Sequence, residues 1–184
     1  MPIASIGVLK SGAAYQPLDP SYPPERLQFM IKDANATLLI ADENLLELLP
    51  DYSGDILLTK DIPNLPKSDA VFAKPSPNDL FILIYTSGST GKPKGITQTH
   101  RCLYNLLLWQ NEKLNPENKN VLADTIISFD VSVQEILYCL IGGGCLHFTS
   151  EKVKENTDLF LKYIIENDIK IIFTTPSYFN VVYS

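Results

Sequence analysis

Positive charge is scarce in this chain: fifteen Lys and Arg stand against twenty-one Asp and Glu, leaving a net charge of −6 with no basic stripe. That balance argues against general affinity for nucleic acid or an acidic membrane. Long apolar runs are missing too, and none approaches the roughly 18–20 residues that a spanning helix requires. The opening stretch, Met1 to Lys10, lacks the basic start and long apolar core of a secretory signal, so the expected location is cytoplasmic. Cysteine is sparse. Cys102, Cys139 and Cys145 are odd in number and have no C-x-x-C spacing, which excludes a disulfide framework and gives no zinc pattern. Cys145 and His147 are read as a buried thiol and a strand histidine, with no metal expected.

What is present is an ordinary globular composition, 45% hydrophobic over 184 residues, enough for one domain or two small lobes. Apolar spacing predicts a helix from Pro2 to Lys10 ended by Ser11-Gly12, and another starting at Pro23-Pro24-Glu25 with Leu27, Met30, Ile31 and Ala34 on one face. Strands are expected at 37–41 and 55–59 around a helix at 43–49. Residues 60–79, with Pro63, Pro66, Pro75 and Pro77, read as a lobe connection that Leu65, Val71 and Phe72 help to pack. Further on, the pattern predicts strands at 81–85, 96–98, 121–127, 145–149 and 169–174. Helices fall at 100–111, with Leu103, Leu106 and Leu107 buried alongside Tyr104 and Trp109, and at 129–141 and 156–167. Such alternation predicts an α/β fold of mostly parallel sheets with helices on both faces.

The most informative stretch is Leu83-Ile84-Tyr85-Thr86-Ser87-Gly88-Ser89-Thr90-Gly91-Lys92-Pro93-Lys94-Gly95. A run suited to a central parallel strand breaks into hydroxyls, glycines and two lysines. Gly88, Gly91 and Gly95 let the backbone turn its N–H groups inward, Thr86, Ser87, Ser89 and Thr90 add hydroxyl donors, and Lys92 and Lys94 add charge: a cradle for phosphate oxygens. It is not a Walker loop. Gly88 lies only three residues before Gly91, and Pro93 prevents a helix from starting at once.

A second stretch, Phe129-Asp130-Val131-Ser132-Val133-Gln134-Glu135, fits a capping box with Ser132 as N-cap and Glu135 three residues on. Asp130 is left over, and either caps the helix itself or receives a cation. In a helix Val131 and Gln134 share a face with it, so a carboxylate with apolar walls would suit the ammonium group of a small zwitterion. Strand ends near Thr86 and Thr174 are expected to bring loop and helix to one carboxyl edge of a sheet.

Residues 85–95 resemble the signature of the adenylate-forming superfamily over eleven positions. Gly12-Ala13-Ala14-Tyr15-Gln16-Pro17-Leu18-Asp19-Pro20, Pro24-Glu25-Arg26 and Phe129-Asp130-Val131-Ser132 narrow the resemblance to amino-acid-activating adenylation domains of nonribosomal peptide synthetases. It runs along essentially the whole chain but corresponds to an incomplete AMP-binding domain, part of the large N-terminal lobe. The resemblance implies that Thr86, Ser87, Gly88, Ser89, Thr90, Gly91, Lys92 and Lys94 hold the phosphates of Mg-ATP. It implies that Asp130 pairs with the substrate ammonium, while Val131, Gln134 and Phe173 line a pocket resembling those for proline or another small apolar amino acid. The reaction implied is formation of an aminoacyl adenylate, then transfer to a carrier-protein thiol whose phosphopantetheine sits on the partner, not on this chain. The adenine- and ribose-binding segments and the small C-terminal domain with its catalytic lysine are absent, so no catalytic residue is assigned and the chain alone is expected to be inactive. Two alternatives remain: a non-catalytic ATP- or anion-binding assembly module, and an acyl- or aryl-acid CoA ligase, which needs no carboxylate at position 130.

Overall fold

The computed structural model describes residues 1–66, 69, 71–88, 92–114 and 120–176. They fall into two compact units, Met1–Arg101 and Cys102–Ser184.

In the first unit, α1 (Pro2–Lys10) carries proline in its first turn and ends at Ser11-Gly12, where Gly12 takes φ 86° and donates its N–H to the Leu9 carbonyl. That left-handed conformation is open to glycine without steric cost. Helix α2 (Pro24–Asp33) starts on proline, has Glu25 in its first turn, and buries Leu27, Met30 and Ile31. Strands β1 (Leu38–Ala41) and β2 (Asp55–Leu58) pair in parallel, Leu38 opposite Asp55, with a 3-10 turn over Glu43–Leu48 in place of the expected α-helix. The 60–79 segment lies within this unit, and its apolar residues pack less than expected: Leu65, Val71 and Phe72 are exposed. Ala73 N–H donating to the Lys10 carbonyl, and the Lys10 ammonium 4.4 Å from the Phe72 ring centre, fasten its later part.

The main correction concerns β3 (Leu80–Ser87). It is not a parallel strand: it pairs antiparallel with β4 (Pro93–Thr99), Tyr85 opposite Gly95 and Ser87 opposite Pro93. Among the described residues its one parallel contact is a single bridge, Tyr15 to Ile82. Phe81, Ile82, Ile84 and Tyr85 are buried, so β3 carries the continuous apolar run of a strand covered on both faces, whichever direction its partner runs. Pro93, which prevents a helix from starting, instead opens a strand, a position where proline is tolerated. Gly95 does not turn the backbone either. It lies within β4 opposite Tyr85, where a Cβ would sit 2.9 Å from Leu83 Cδ1 and 3.2 Å from the Tyr85 ring, so close packing favours glycine there.

The second unit holds most of α3 (His100–Leu114), then β5 (Asn120–Leu122), α4 (Val131–Ile141), β6 (Cys145–His147), α5 (Glu151–Lys154), α6 (Thr157–Glu166) and β7 (Ile171–Ile172). The strands form a parallel sheet in the order β6-β5-β7. Val121 and Leu122 at its centre are fully buried, and Phe160 of α6 packs on Leu122. Helix α6 is capped by the Asn156 side chain accepting from the Leu159 N–H at 3.0 Å. On α3 the buried positions are Leu103, Leu107 and Gln110, whereas Tyr104 and Trp109 face solvent. Cys102 and Cys145 are exposed; Cys139 alone among the three thiols is buried.

Candidate functional site

The hairpin places one group of expected residues. Thr86 and Ser87 end β3, both exposed, and Gly88 follows at the turn, where its N–H donates to the Lys92 carbonyl at 3.1 Å. A Cβ on Gly88 would lie 2.3 Å from that carbonyl oxygen, so this closure requires glycine. Thr86 Oγ1 meets the Lys94 carbonyl across the ladder at 3.5 Å. Lys92 and Lys94 are exposed, and neither has an ion-pair partner among the described residues. Two lysines with no counter-charge among the described residues, beside two hydroxyls, make a cationic turn able to accept an anion. Ser89, Thr90 and Gly91 lie outside the described residues.

Behind the turn, β3 is anchored to α2. The Tyr85 hydroxyl donates to Asp33 Oδ2 at 2.7 Å, and the Tyr85 ring meets Phe29 edge-on at 6.5 Å between centroids. Burial first, then this bond to a carboxylate, push the Tyr85 hydroxyl pKa well above its ordinary 10.0 and keep it a donor.

In the second unit the expected residues collect at the carboxyl end of the parallel sheet. Residues 123–130 lead from β5 into α4, and Phe173 directly follows β7. Asp130 is exposed at the N-terminal boundary of α4; its side chain makes no capping bond and has no partner among the described residues. Of the two roles open to it, the local cap is therefore not taken. Val131 and Gln134 follow, each partly buried, and Tyr138 one turn further meets Phe173 edge-on at 6.2 Å. The single edge expected to carry both loop and helix is not observed: β3 and β7 belong to different sheets in different units.

The capping box is also corrected. Ser132 is inside α4 and donates to the carbonyls of Phe129 and Ile127 at 2.7 and 3.0 Å. Glu135, 1% exposed, turns to the segment after β5, accepting from Thr125 Oγ1 at 2.7 Å and from the N–H groups of Asp124 and Thr125 at 3.3–3.4 Å. Burial raises its pKa, and those donors oppose the rise. Asp124 in turn pairs with Lys154 at 3.0 Å and accepts from Thr149 Oγ1 at 3.3 Å. This network, absent from the sequence-based expectations, ties α4 to β5 and α5. Gln110 was missed as well: buried to 2% exposure, it donates Nε2 to Gln134 Oε1 at 2.8 Å. Its signal was a polar residue on the i, i+4, i+7 spacing of Leu103 and Leu107.

The described residues thus make an α/β chain with a glycine-closed cationic hairpin turn and a helix opening on Asp130, which is unpaired among them. The chain belongs to the AMP-binding enzyme family, whose model matches residues 1–184. It is 34% identical over 180 residues to tyrocidine synthase 1 of Brevibacillus parabrevis, covering 96% of this chain and 16% of that protein. Zwittermicin A synthase ZmaJ of Bacillus cereus is 34% identical over 179 residues, covering 96% of this chain and 34% of its own length. Gramicidin S synthase 2 of Brevibacillus brevis is 33% identical over 182 residues, covering 98% and 4%. The chain thus spans between 4% and 34% of these relatives. The fold matches the crystal structure of the nonribosomal peptide synthetase FmoA3 with a TM-score of 0.86 at 21% identity, covering 98% of this chain and 19% of that one. A form of FmoA3 with AMPPNP bound matches with a TM-score of 0.84 at 23% identity, with the same coverage. No helix among the described residues is long and apolar enough to cross a membrane.

Proposed function

We propose that this chain is the phosphate-binding and amino-acid-recognising part of an adenylation domain, and that the longer polypeptide activates an amino acid with Mg-ATP for loading onto a carrier-protein thiol in the cytoplasm. The observation that carries this reading is the hairpin turn: Thr86, Ser87 and Gly88 face Lys92 and Lys94, and neither lysine has a counter-charge among the described residues.

In this reading the turn, together with Ser89, Thr90 and Gly91, orients the polyphosphate and offsets its charge. Hydroxyls, backbone N–H groups and ammonium groups stabilise the charge that develops as the amino-acid carboxylate attacks the α-phosphate. Mg would be held chiefly by the phosphates, as is usual for this ion. Asp130 receives the substrate ammonium, and Val131, Gln134 and Phe173 bound a small apolar side chain such as that of proline. Adenine and ribose recognition, the catalytic lysine and the phosphopantetheine belong to other segments or partners, so residues 1–184 alone turn over no substrate.

Calorimetry on a polypeptide extended to the length of a whole adenylation domain tests the assignment. Saturable ATP binding weakened by Lys92→Ala and Lys94→Ala, with amino-acid binding lost in Asp130→Ala, is the expected result. ATP binding without amino-acid binding would favour a non-catalytic nucleotide module. Activity on acyl or aryl acids indifferent to Asp130→Ala would favour a CoA ligase.

A further inference from the structure

Gln110 and Gln134 form a pair whose chemistry is unequal. Gln110 is buried in the second unit on the same face of α3 as Leu103 and Leu107. Its Nε2 donates to Gln134 Oε1 at 2.8 Å, while its own Oε1 is buried with no hydrogen-bond partner among the described residues. Gln134, one turn into α4, therefore has its carbonyl occupied, and its Nε2 has no partner among the described residues. A glutamine side chain offers one carbonyl and one NH2 group. With the carbonyl taken, donors are all that Gln134 has left to present.

We propose that Gln110 is a specificity-determining residue that acts through Gln134. By holding the Gln134 carbonyl, it makes that wall of the amino-acid pocket a hydrogen-bond donor, and the pocket thereby rejects amino acids with a cationic side chain. An ammonium or guanidinium group carries only donors, so against an NH2 wall it would be desolvated with no acceptor. Selection is by exclusion, which a neutral small side chain such as proline's escapes. Gln110 touches no substrate in this arrangement; it is a positioning residue. The inference rests on the assignment of Gln134 to the pocket made above.

Two substitutions separate a selective role from a merely structural one. Gln110→Glu keeps the volume but offers only acceptors when ionised, so the Gln134 amide must turn over to keep the pair, exposing its carbonyl. Gln110→Met removes the pair and the orphaned Oε1 together at similar volume, and the Gln134 amide it releases is only partly buried and can pair with water. In a whole adenylation domain, kcat/KM is measured for proline and for ornithine as a cationic probe. Gln110→Glu should raise the ornithine-to-proline ratio on the order of tenfold, and Gln110→Met several-fold, with the KM for ATP and the melting temperature of Gln110→Met unchanged. Gln134→Leu alone should also shift the ratio, and combining it with Gln110→Met should add nothing further. If Gln134→Leu shifts the ratio while neither Gln110 substitution does, or if the two sites act additively, the inference is overturned. If Gln134→Leu also leaves the ratio unchanged, the pocket assignment itself fails, and the inference with it.

Discussion

Replacing Gly88 by alanine should open the hairpin turn and weaken ATP binding together. The added Cβ would stand 2.3 Å from the Lys92 carbonyl oxygen, where real Cβ contacts essentially never fall under 3.0 Å. The obstacle is backbone, so no side-chain rotation relieves it; the carbonyl must retreat. Retreat breaks the 3.1 Å bond from Gly88 N–H to Lys92 O that closes the turn. Losing such a bond costs about 0.5–1.5 kcal/mol and an overpacked contact about 1–3 kcal/mol, so a total near 2–4 kcal/mol is expected. Gly95→Ala is the useful comparison. There the obstacles are Leu83 Cδ1 at 2.9 Å and the Tyr85 ring at 3.2 Å, side-chain atoms that can yield, and the cost should stay at about 1–2 kcal/mol. Chemical unfolding of both variants, with hydrogen exchange at the Gly88 amide, reads the difference. Gly88→Ala should lose amide protection and bind ATP at least about tenfold more weakly in the whole domain, which corresponds to about 1.4 kcal/mol of the strain falling on the bound geometry. A Gly88→Ala protein with wild-type stability and ATP affinity would refute the steric reasoning.

Other expectations follow from single contacts. Glu135 holds its proton in the folded chain at pH values where the unfolded chain has lost it, so its contribution to stability is full below its ordinary pKa of 4.5 and is lost as pH rises through the higher folded value. Glu135→Gln should flatten the fall in unfolding free energy over that window, measured by denaturant titration at a series of pH values; an unchanged slope would contradict the assignment. Tyr85→Phe removes the bond to the exposed Asp33 and should cost about 0.5–1.5 kcal/mol without changing Asp130-dependent amino-acid binding, checked by thermal unfolding and calorimetry. Residues 1–184 alone leave Ile3, Leu38, Ile56, Phe129 and Ile141 between 46% and 76% exposed, and should self-associate. A sharp monomeric peak on sizing would count against that expectation.

The hydroxyls, glycines and lysines of 86–95 declare a turn, and Pro93 rules out a helix directly after it. The direction of the next strand was not legible, because a doubly covered strand is a continuous apolar run whether its neighbours are parallel or antiparallel, and because Gly95 has the composition of a turn but a packing role set by Leu83 and Tyr85. Strand β5 was overestimated for a similar reason. The apolar pattern continues to Ile127, but the N–H groups of Asp124 and Thr125 bond to Glu135 instead of a neighbouring strand. The S-x-x-E spacing was satisfied by sequence alone; burial of Glu135 and the inward hydrogen bonds of Ser132 appear only when α4 is packed on its neighbours. Asp130 stood out because a charged residue between Phe129 and Val131 needs a reason, and among the described residues it has no local partner. Gln110 was hidden in an apolar stripe whose exposed members, Tyr104 and Trp109, looked the better core residues.

The most direct test of the central claim is amino-acid-dependent exchange of labelled pyrophosphate into ATP by the whole adenylation domain, comparing wild type with Asp130→Ala. Loss of a charge-assisted ammonium-to-carboxylate contact, about 1.5–3 kcal/mol, should lower kcat/KM for the amino acid by about tenfold to a hundredfold while the KM for ATP stays put. Exchange at wild-type rates with Asp130 removed would contradict the account.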